Sequence, residues 1–526
     1  MRSAPILHLM GWTLTVVSLP LLALGLFSIY LESGDFVFIF QAFFGPTIVS
    51  AATGIFLIRF FNHRYDQEDG VRDREAVTAV ALGWLVVIFF GGMPYWFGGT
   101  FTGPLDLIEG NAGFWDVALG LLHSWFESMS GFTTTGATMI DPETSPVCVV
   151  GEDCIASQRR SILLWRSLTQ WLGGMGVIML SILILGRWIG GGLSAATAEL
   201  TGPSLSRLGP KLQHTARILW GIYLLLTLLE WILLFLLTEM DWFDSLNHAF
   251  TTMASGGFST HDAGIMHFDS VKIELIITAF MILTGVNYSL FHISFRGGVK
   301  EAFKDEELRI YLGVLFLAWL GMVFSLSSKG DHSLLESARF AMFQTASIGT
   351  STGYASADYA LWPSLSLLIL MFLMIVGASA GSTSGGLKIL RLKIAYEIVR
   401  QEIGRIVQPR SVRSIRMNGE VVEDSRMWVV IGMLSTWAAL AMISTVLLAF
   451  FEPTHSLETI LSVIFAALGN TGPALGAFGP TSTWAGLNWY SLLYTSVLMW
   501  AGRLELLTVL VLFHPRTWRT EKPKAD

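Results

Sequence analysis

The sequence predicts an all-α polytopic membrane protein, with ten transmembrane helices and four re-entrant pore loops arranged as pseudo-fourfold helix–pore loop–helix repeats. Three observations predict it. Of the 526 residues, 52% are hydrophobic and 14% charged, where soluble domains carry about 25% charged residues. Uncharged apolar runs of roughly 20 residues, enough to cross a bilayer as a helix, recur along the chain. Four times, a small polar residue and a glycine stand just ahead of a long apolar stretch. These segments read Thr134-Thr135-Gly136-Ala137, Ser255-Gly256-Gly257-Phe258, Ser351-Thr352-Gly353-Tyr354 and Asn470-Thr471-Gly472-Pro473.

The elements follow in order. The run 9–31 is too long for a signal-peptide core and lacks a small-residue cleavage site, so it reads as a retained span. With 36–60 it forms a leading helix pair (1–70). Each later unit reads as span, short helix, extended segment and returning span. In repeat 1 (71–200) these are 76–97, 115–131 and 162–185; in repeat 2 (201–300), 216–237, 243–254 and 271–295. In repeat 3 (301–420) they are 310–326, 333–348 and 365–394; in repeat 4 (421–526), 428–451, 456–468 and 487–513. Tryptophans near span ends (Trp96, Trp115, Trp242, Trp362, Trp428) fit interfacial belts. Gly190-Gly191-Gly192, Thr201-Gly202-Pro203 and Gln408-Pro409-Arg410 break the connections.

Most of the 33 basic residues fall at 2, 59–74, 187–217, 296–309, 388–426 and beyond 514; none falls in 97–158, 239–270 or 452–488. The positive-inside rule then puts both termini in the cytoplasm. The basic side suits the inner lipid surface or an acidic partner. The longest outer segment carries Asp106, Glu109, Asp116, Glu127, Asp141, Glu143, Glu152 and Asp153. It is either a solvated loop or a vestibule whose negative field gathers cations. Cys148 and Cys154 lie there too. Two ligands with no nearby histidine do not make a zinc site; a short-loop disulfide and two free thiols both stay open.

Glycine suits a tight ring of carbonyls because it accepts unusual φ/ψ and has no side chain to crowd its neighbours. One such loop means little among 52 glycines, but four at matched places do. They imply a shared axis where main-chain oxygens replace the water shell of a cation. The candidate ion-contacting residues are Thr134, Thr135 and Gly136; Ser255, Gly256 and Gly257; Ser351, Thr352 and Gly353; Asn470, Thr471 and Gly472. Irregular backbone at this depth is tolerated only where it is buried or lines a cavity.

Two further features stand inside apolar runs. Segment 377–386 (GASAGSTSGG) is too rich in glycine and serine for a stable straight helix; a close helix contact is the competing reading. Arg503 lies ten residues before Phe513, where a charge costs about 2.5–3.5 kcal/mol on insertion scales. It faces protein or water, pairs with Glu505, or snorkels. Two G-x-S-x-G strings, 349–353 and 377–381, lack the strand and partners of a hydrolase elbow. With no H-E-x-x-H, G-x-x-x-x-G-K-[ST] or G-x-G-x-x-G either, the chain reads as a non-enzyme with no organic cofactor and no nucleic-acid partner.

Taken in order, several motifs resemble the Trk/Ktr/HKT superfamily of potassium transporters, in its bacterial TrkH branch. They are 131–138 (GFTTTGAT), 256–260 (GGFST), 352–355 (TGYA), 469–473 (GNTGP), 170–176 (QWLGGMG) and 502–505 (GRLE). The resemblance implies K+ as the transported ion, bound in a filter with one glycine per repeat. It implies a homodimer in the bacterial inner membrane, surrounded by lipid. Gly136 corresponds to potassium preference, whereas Gly256 and Asn470 break strict fourfold chemistry. An intramembrane gate would comprise Gly377, Ser379, Gly381, Ser382, Thr383, Ser384, Gly385 and Gly386, with Arg503 below the filter. Nucleotide control would come from a cytoplasmic RCK-type (TrkA-like) subunit docked on the basic loops. A proton- or sodium-coupled symporter, or a less selective Na+/K+ pathway, is the alternative; Glu230 and Glu505 are the few mid-span acids it could use.

Overall fold

A computed structural model describes residues 2–62, 72–176, 212–330, 333–408, 414–504 and 506–518. Helices α1 (Ser3–Leu31) and α2 (Phe36–Asn62) pack along one another as the leading pair. Their backbones meet closely: a Cβ on Gly11 would lie 2.8 Å from the carbonyl oxygen of Gly54.

Four units follow, each with a long helix, a short helix and a returning helix. The first is α3 (Asp73–Phe97), α4 (Phe114–Phe132) and α5 (Arg160–Gly174). The second is α6 (Leu212–Leu237), α7 (Trp242–Met253) and the pair α8 (Val271–Thr284) and α9 (Tyr288–Gly297). The third is α10 (Glu306–Lys329), α11 (Leu334–Gly349), α12 (Ser364–Ile375) and α13 (Ile389–Val407). The fourth is α14 (Asp424–Phe451), α15 (Leu457–Gly469), α16 (Trp489–Arg503) and α17 (Leu506–Phe513). A hairpin of two-residue strands, Arg416–Met417 and Glu420–Val421, is the one sheet among the described residues.

The short helices start where the sequence supplies caps. Asp241 accepts from the Asp244 amide, Ser333 from that of Glu336 and Ser456 from that of Thr459; Asp116 accepts from the amide of Gly113. Each also has an acid in its first turn (Asp116, Asp244, Glu336, Glu458), complementing the helix dipole.

The packing closes into a circle. Within every unit the short helix lies between its long helix and its returning helix. Each returning helix also packs against the next unit's short helix: α5 on α7, α8 on α11, α12 on α15, and α16 back on α4. The outward helices turn large apolar side chains outside, among them Leu225, Phe235, Leu317, Phe324, Ile443 and Phe450. Such a belt is stable only against an apolar surrounding.

Among the described residues, six helices are long and apolar enough to cross a membrane, or seven if the bent pair α8–α9 counts as one. The sequence reading expected ten. Three of the returning segments are broken within the protein, and the first runs on beyond the described residues. Stretch 271–295 bends by 94° between Thr284 and Tyr288. Stretch 365–394 is interrupted from Val376 to Lys388, and 487–513 at Leu504. The rest of 162–185 beyond residue 176, the breaks at 190–192 and 201–203, Arg187, Arg207, Lys211 and Glu505 lie outside the described residues.

Candidate functional site

All four short helices end in the same way. One or two residues past each helical end, a residue other than glycine takes a left-handed conformation: Thr134 (φ 54°), Ser255 (55°), Ser351 (56°) and Asn470 (53°). The next amide reaches back five residues: Thr135 to Ser130 O (2.9 Å), Gly256 to Thr251 O (2.9 Å), Thr352 to Ser347 O (2.8 Å) and Thr471 to Ala466 O (3.0 Å). This is the Schellman closure of a helix, made here by residues that favour αL poorly. Asn470 suits it best and is also tied by its side-chain amide to Thr135 Oγ1 (3.0 Å) and Met499 O (2.9 Å).

Two residues beyond each left-handed turn stand Gly136, Gly257, Gly353 and Gly472, all with φ between 78° and 87°. A Cβ on any of them would overlap a carbonyl oxygen of the following unit. Gly136 abuts Gly256 O, Gly257 abuts Thr352 O, Gly353 abuts Thr471 O, and Gly472 abuts Thr135 O. The four segments therefore form one closed ring. All twelve candidate residues belong to it and are buried, except that Gly136 and Gly257 are partly open. Four helix C-termini, each with about half a negative charge, point into this ring.

On one side of the ring lies a cavity of about 490 Å³, whose lining includes Gly136, Gly257, Gly353, Asp141, Glu143 and Asp262. Part of the acidic outer segment thus does face a common space. The loop that forms one wall is closed by a Cys148–Cys154 disulfide, which decides between the two readings of those cysteines.

On the other side lies the 376–388 loop. Gly385 donates to Ser351 Oγ (2.6 Å), and Thr383 bonds to Ser255 Oγ (2.9 Å) and Met253 O (3.2 Å). A Cβ on Gly385 would overlap Gly469 O. The loop thus touches three of the four helix ends from below. It is held by a Val376–Leu387 bridge, by Ser379 N to Gly285 O (3.1 Å) and by Tyr288 N to Gly381 O (3.1 Å). Ser382 and Ser384 share a hydroxyl contact (2.8 Å), and Lys388 bonds to Ser384. Gly377 donates to Leu387 O, and Gly386 lies against Gly377. Arg503 donates to Thr383 O (2.7 Å) and to the carbonyls of Gly173 and Gly174 (both 2.9 Å). Thus 377–386 is irregular backbone, and Arg503 faces protein.

The roles of three sets of supporting residues escaped the sequence reading, which put Glu127 among the outer acids whereas it is fully buried. Gln170 donates to Gly256 O (2.7 Å) and accepts from Phe258 N (3.1 Å). A Cβ on Gly256 would collide with the Gln170 amide. Gly256 is therefore glycine where the other units have threonine because the glutamine amide fills the place of its side chain. Arg166 and Glu127 form a fully buried pair (2.6 Å). Arg166 donates to Ser259 O and covers Phe258, while Glu127 accepts from Met139 N, strapping units 1 and 2 together. Glu307 accepts from Ala380 N (2.6 Å) and pins the loop. Gln170 lay in a quoted motif, but no local signal names partners 86 to 93 residues away.

Apolar helices around a closed ring of backbone turns, with a cavity on one side and an irregular loop on the other, define a membrane transport protein for ions. The chain belongs to the TrkH family, described as cation transport proteins, whose model matches residues 107–520. It is 33% identical to the Trk system potassium uptake protein TrkH of Halomonas elongata over 98% of this chain and 99% of that one. Against the Escherichia coli K12 protein of the same name it is 33% identical, covering 85% and 87%. The crystal structure of the potassium transporter TrkH from Vibrio parahaemolyticus superposes with a TM-score of 0.80 at 28% identity, covering 99% of this chain and 100% of that one.

Proposed function

We propose that this protein takes up potassium across the bacterial inner membrane through a channel-like pathway, and that the ring is its selectivity filter. One observation carries the reading: each filter glycine abuts a carbonyl of the next unit, and the fourth closes on the first. Carbonyls of Thr134, Thr135, Gly136 and their counterparts in the other units then coordinate the dehydrated ion. Inward movement is favoured by about 2.3 kcal/mol per charge per 100 mV. The 377–386 loop with Arg503 is the gate, since it lies under three of the four helix ends and would obstruct the pathway. Both termini are cytoplasmic and the assembly is a homodimer. A nucleotide-binding ring controls the gate by docking on the basic face, where Lys300, Arg309, Arg400 and Arg405 are exposed. The names of the relatives support the substrate.

Potassium, rubidium and sodium flux into liposomes, measured for wild type and Gly136→Ser, tests this. Wild type should pass potassium and rubidium well ahead of sodium, and the serine variant should narrow that gap. Equal potassium and sodium permeation in wild type removes the selectivity assignment.

A further inference from the structure

Beside the outer cavity, Asp153, His261 and His267 place their ligand atoms within 4.8 Å of one another. His261 Nδ1 lies 3.1 Å from Asp153 Oδ2, and its Nε2 lies 3.6 Å from Asp244 Oδ2. The two imidazoles stack face to face, with centroids 3.6 Å apart and planes 4° apart, an arrangement that like rings favour less than offset or edge-on contact.

We propose that Asp153, His261 and His267, with water completing the shell, bind one first-row divalent transition-metal ion, Zn2+ in the first instance, and that the bound ion slows cation uptake. The donor set carries the assignment. Two imidazoles and a carboxylate oxygen suit Zn2+, Ni2+ or Cu2+, whereas Mg2+ and K+ prefer all-oxygen shells.

The carboxylates are already oriented. Asp153 Oδ1 accepts from the amides of Ala156 (2.9 Å) and Asp262 (3.0 Å), leaving Oδ2 for His261. Asp244, held by Thr260 (2.8 Å), steadies the far edge of the His261 ring from its Nε2 side. Phe268 packs edge-on against both imidazoles. Such outer contacts fix ligand geometry in metal sites. Asp153 also precedes a disulfide cysteine, which limits its travel. His267 is exposed, so an ion can arrive from solvent and the ring can turn to meet it.

His261 lines the outer cavity. A divalent ion there opposes the negative field of Asp141, Glu143 and Asp262 and lowers the local cation concentration. This regulatory half rests on the uptake function proposed above; the site itself does not.

The test uses the full chain, purified without a histidine tag in lipid nanodiscs. Zn2+ titration calorimetry and the visible spectrum of added Co2+ should report one tight site per chain. His267→Ala removes an exposed ring and leaves the fold intact; it should weaken Zn2+ at least about tenfold, and Asp153→Asn should weaken it too. Equal affinity in wild type and His267→Ala overturns the site. In liposomes, external Zn2+ should slow rubidium uptake by wild type and not by His267→Ala. Binding with unchanged flux overturns the regulatory half. Wild type that passes no rubidium even without metal overturns the uptake reading and the regulatory half with it, while the calorimetry still decides the site.

Discussion

The guanidinium of Arg503 donates to the carbonyl oxygen of Thr383 at 2.7 Å, across 120 residues of chain. Its other nitrogen holds the carbonyls of Gly173 and Gly174. One side chain from the fourth unit therefore clasps the third unit's loop to the end of the first unit's returning helix. A hydrogen bond to a charged group contributes about 1.5–3 kcal/mol net, enough to hold a loop in one of two positions.

Removing that clasp should free the loop. Arg503→Ala is expected to raise rubidium uptake in liposomes by about tenfold or more, one bond of 1.4 kcal/mol being a factor of ten. Arg503→Lys, which keeps the charge but not the planar fork, should fall between the two. Uptake equal to wild type in the alanine variant would remove Arg503 from the gate.

A side chain on a ring glycine should cost flux. At Gly353 a Cβ meets an unfavourable left-handed backbone, costing roughly 1–2 kcal/mol, and overlaps the Thr471 carbonyl. Gly353→Ala should lower flux more than about tenfold while the purified protein remains folded by circular dichroism. Gly404→Ala is the control, because nothing lies near its added Cβ.

Gln170 and Gly256 should behave as a unit. Gly256→Thr alone forces a side chain into the Gln170 amide and is expected to abolish selective flux. Adding Gln170→Ala makes room for it, so the double variant should recover part of the rubidium-over-sodium preference. Additive losses in a double-mutant cycle would refute the coupling.

The Arg166–Glu127 pair sets a stability prediction. Arg166→Met leaves Glu127 buried without its partner and should destabilise by about 3–5 kcal/mol. Combining it with Glu127→Leu should restore much of that, because two apolar groups replace two charges. Thermal unfolding of the detergent-solubilised variants measures both.

Some of this architecture was legible along the chain and some was not. The four turns were, because each is encoded within six residues by a helix end, a polar residue and a glycine. The interruption at 377–386 was also readable from its glycine and serine content. The bend at Gly285 was not. A lone glycine and Asn287 are a faint signal within 271–295, and the helix breaks there because the loop supplies replacement bonds, Ser379 to Gly285 and Gly381 to Tyr288. The partners of Gln170, Arg166 and Glu307 were hidden for the same reason: contacts across units leave no local mark. Gly256 looked like a loss of symmetry, whereas its missing side chain is replaced from another helix.

A collar assembled from four copies of a subunit takes every substitution in quadruplicate. This one is threaded by a single polypeptide, so Thr135, Gly256, Thr352 and Thr471 can each drift alone. The chemistry of the ring is thereby adjustable one quadrant at a time, and the second quadrant, where Gly256 and the Gln170 amide stand in place of a threonine, is an instance of that freedom.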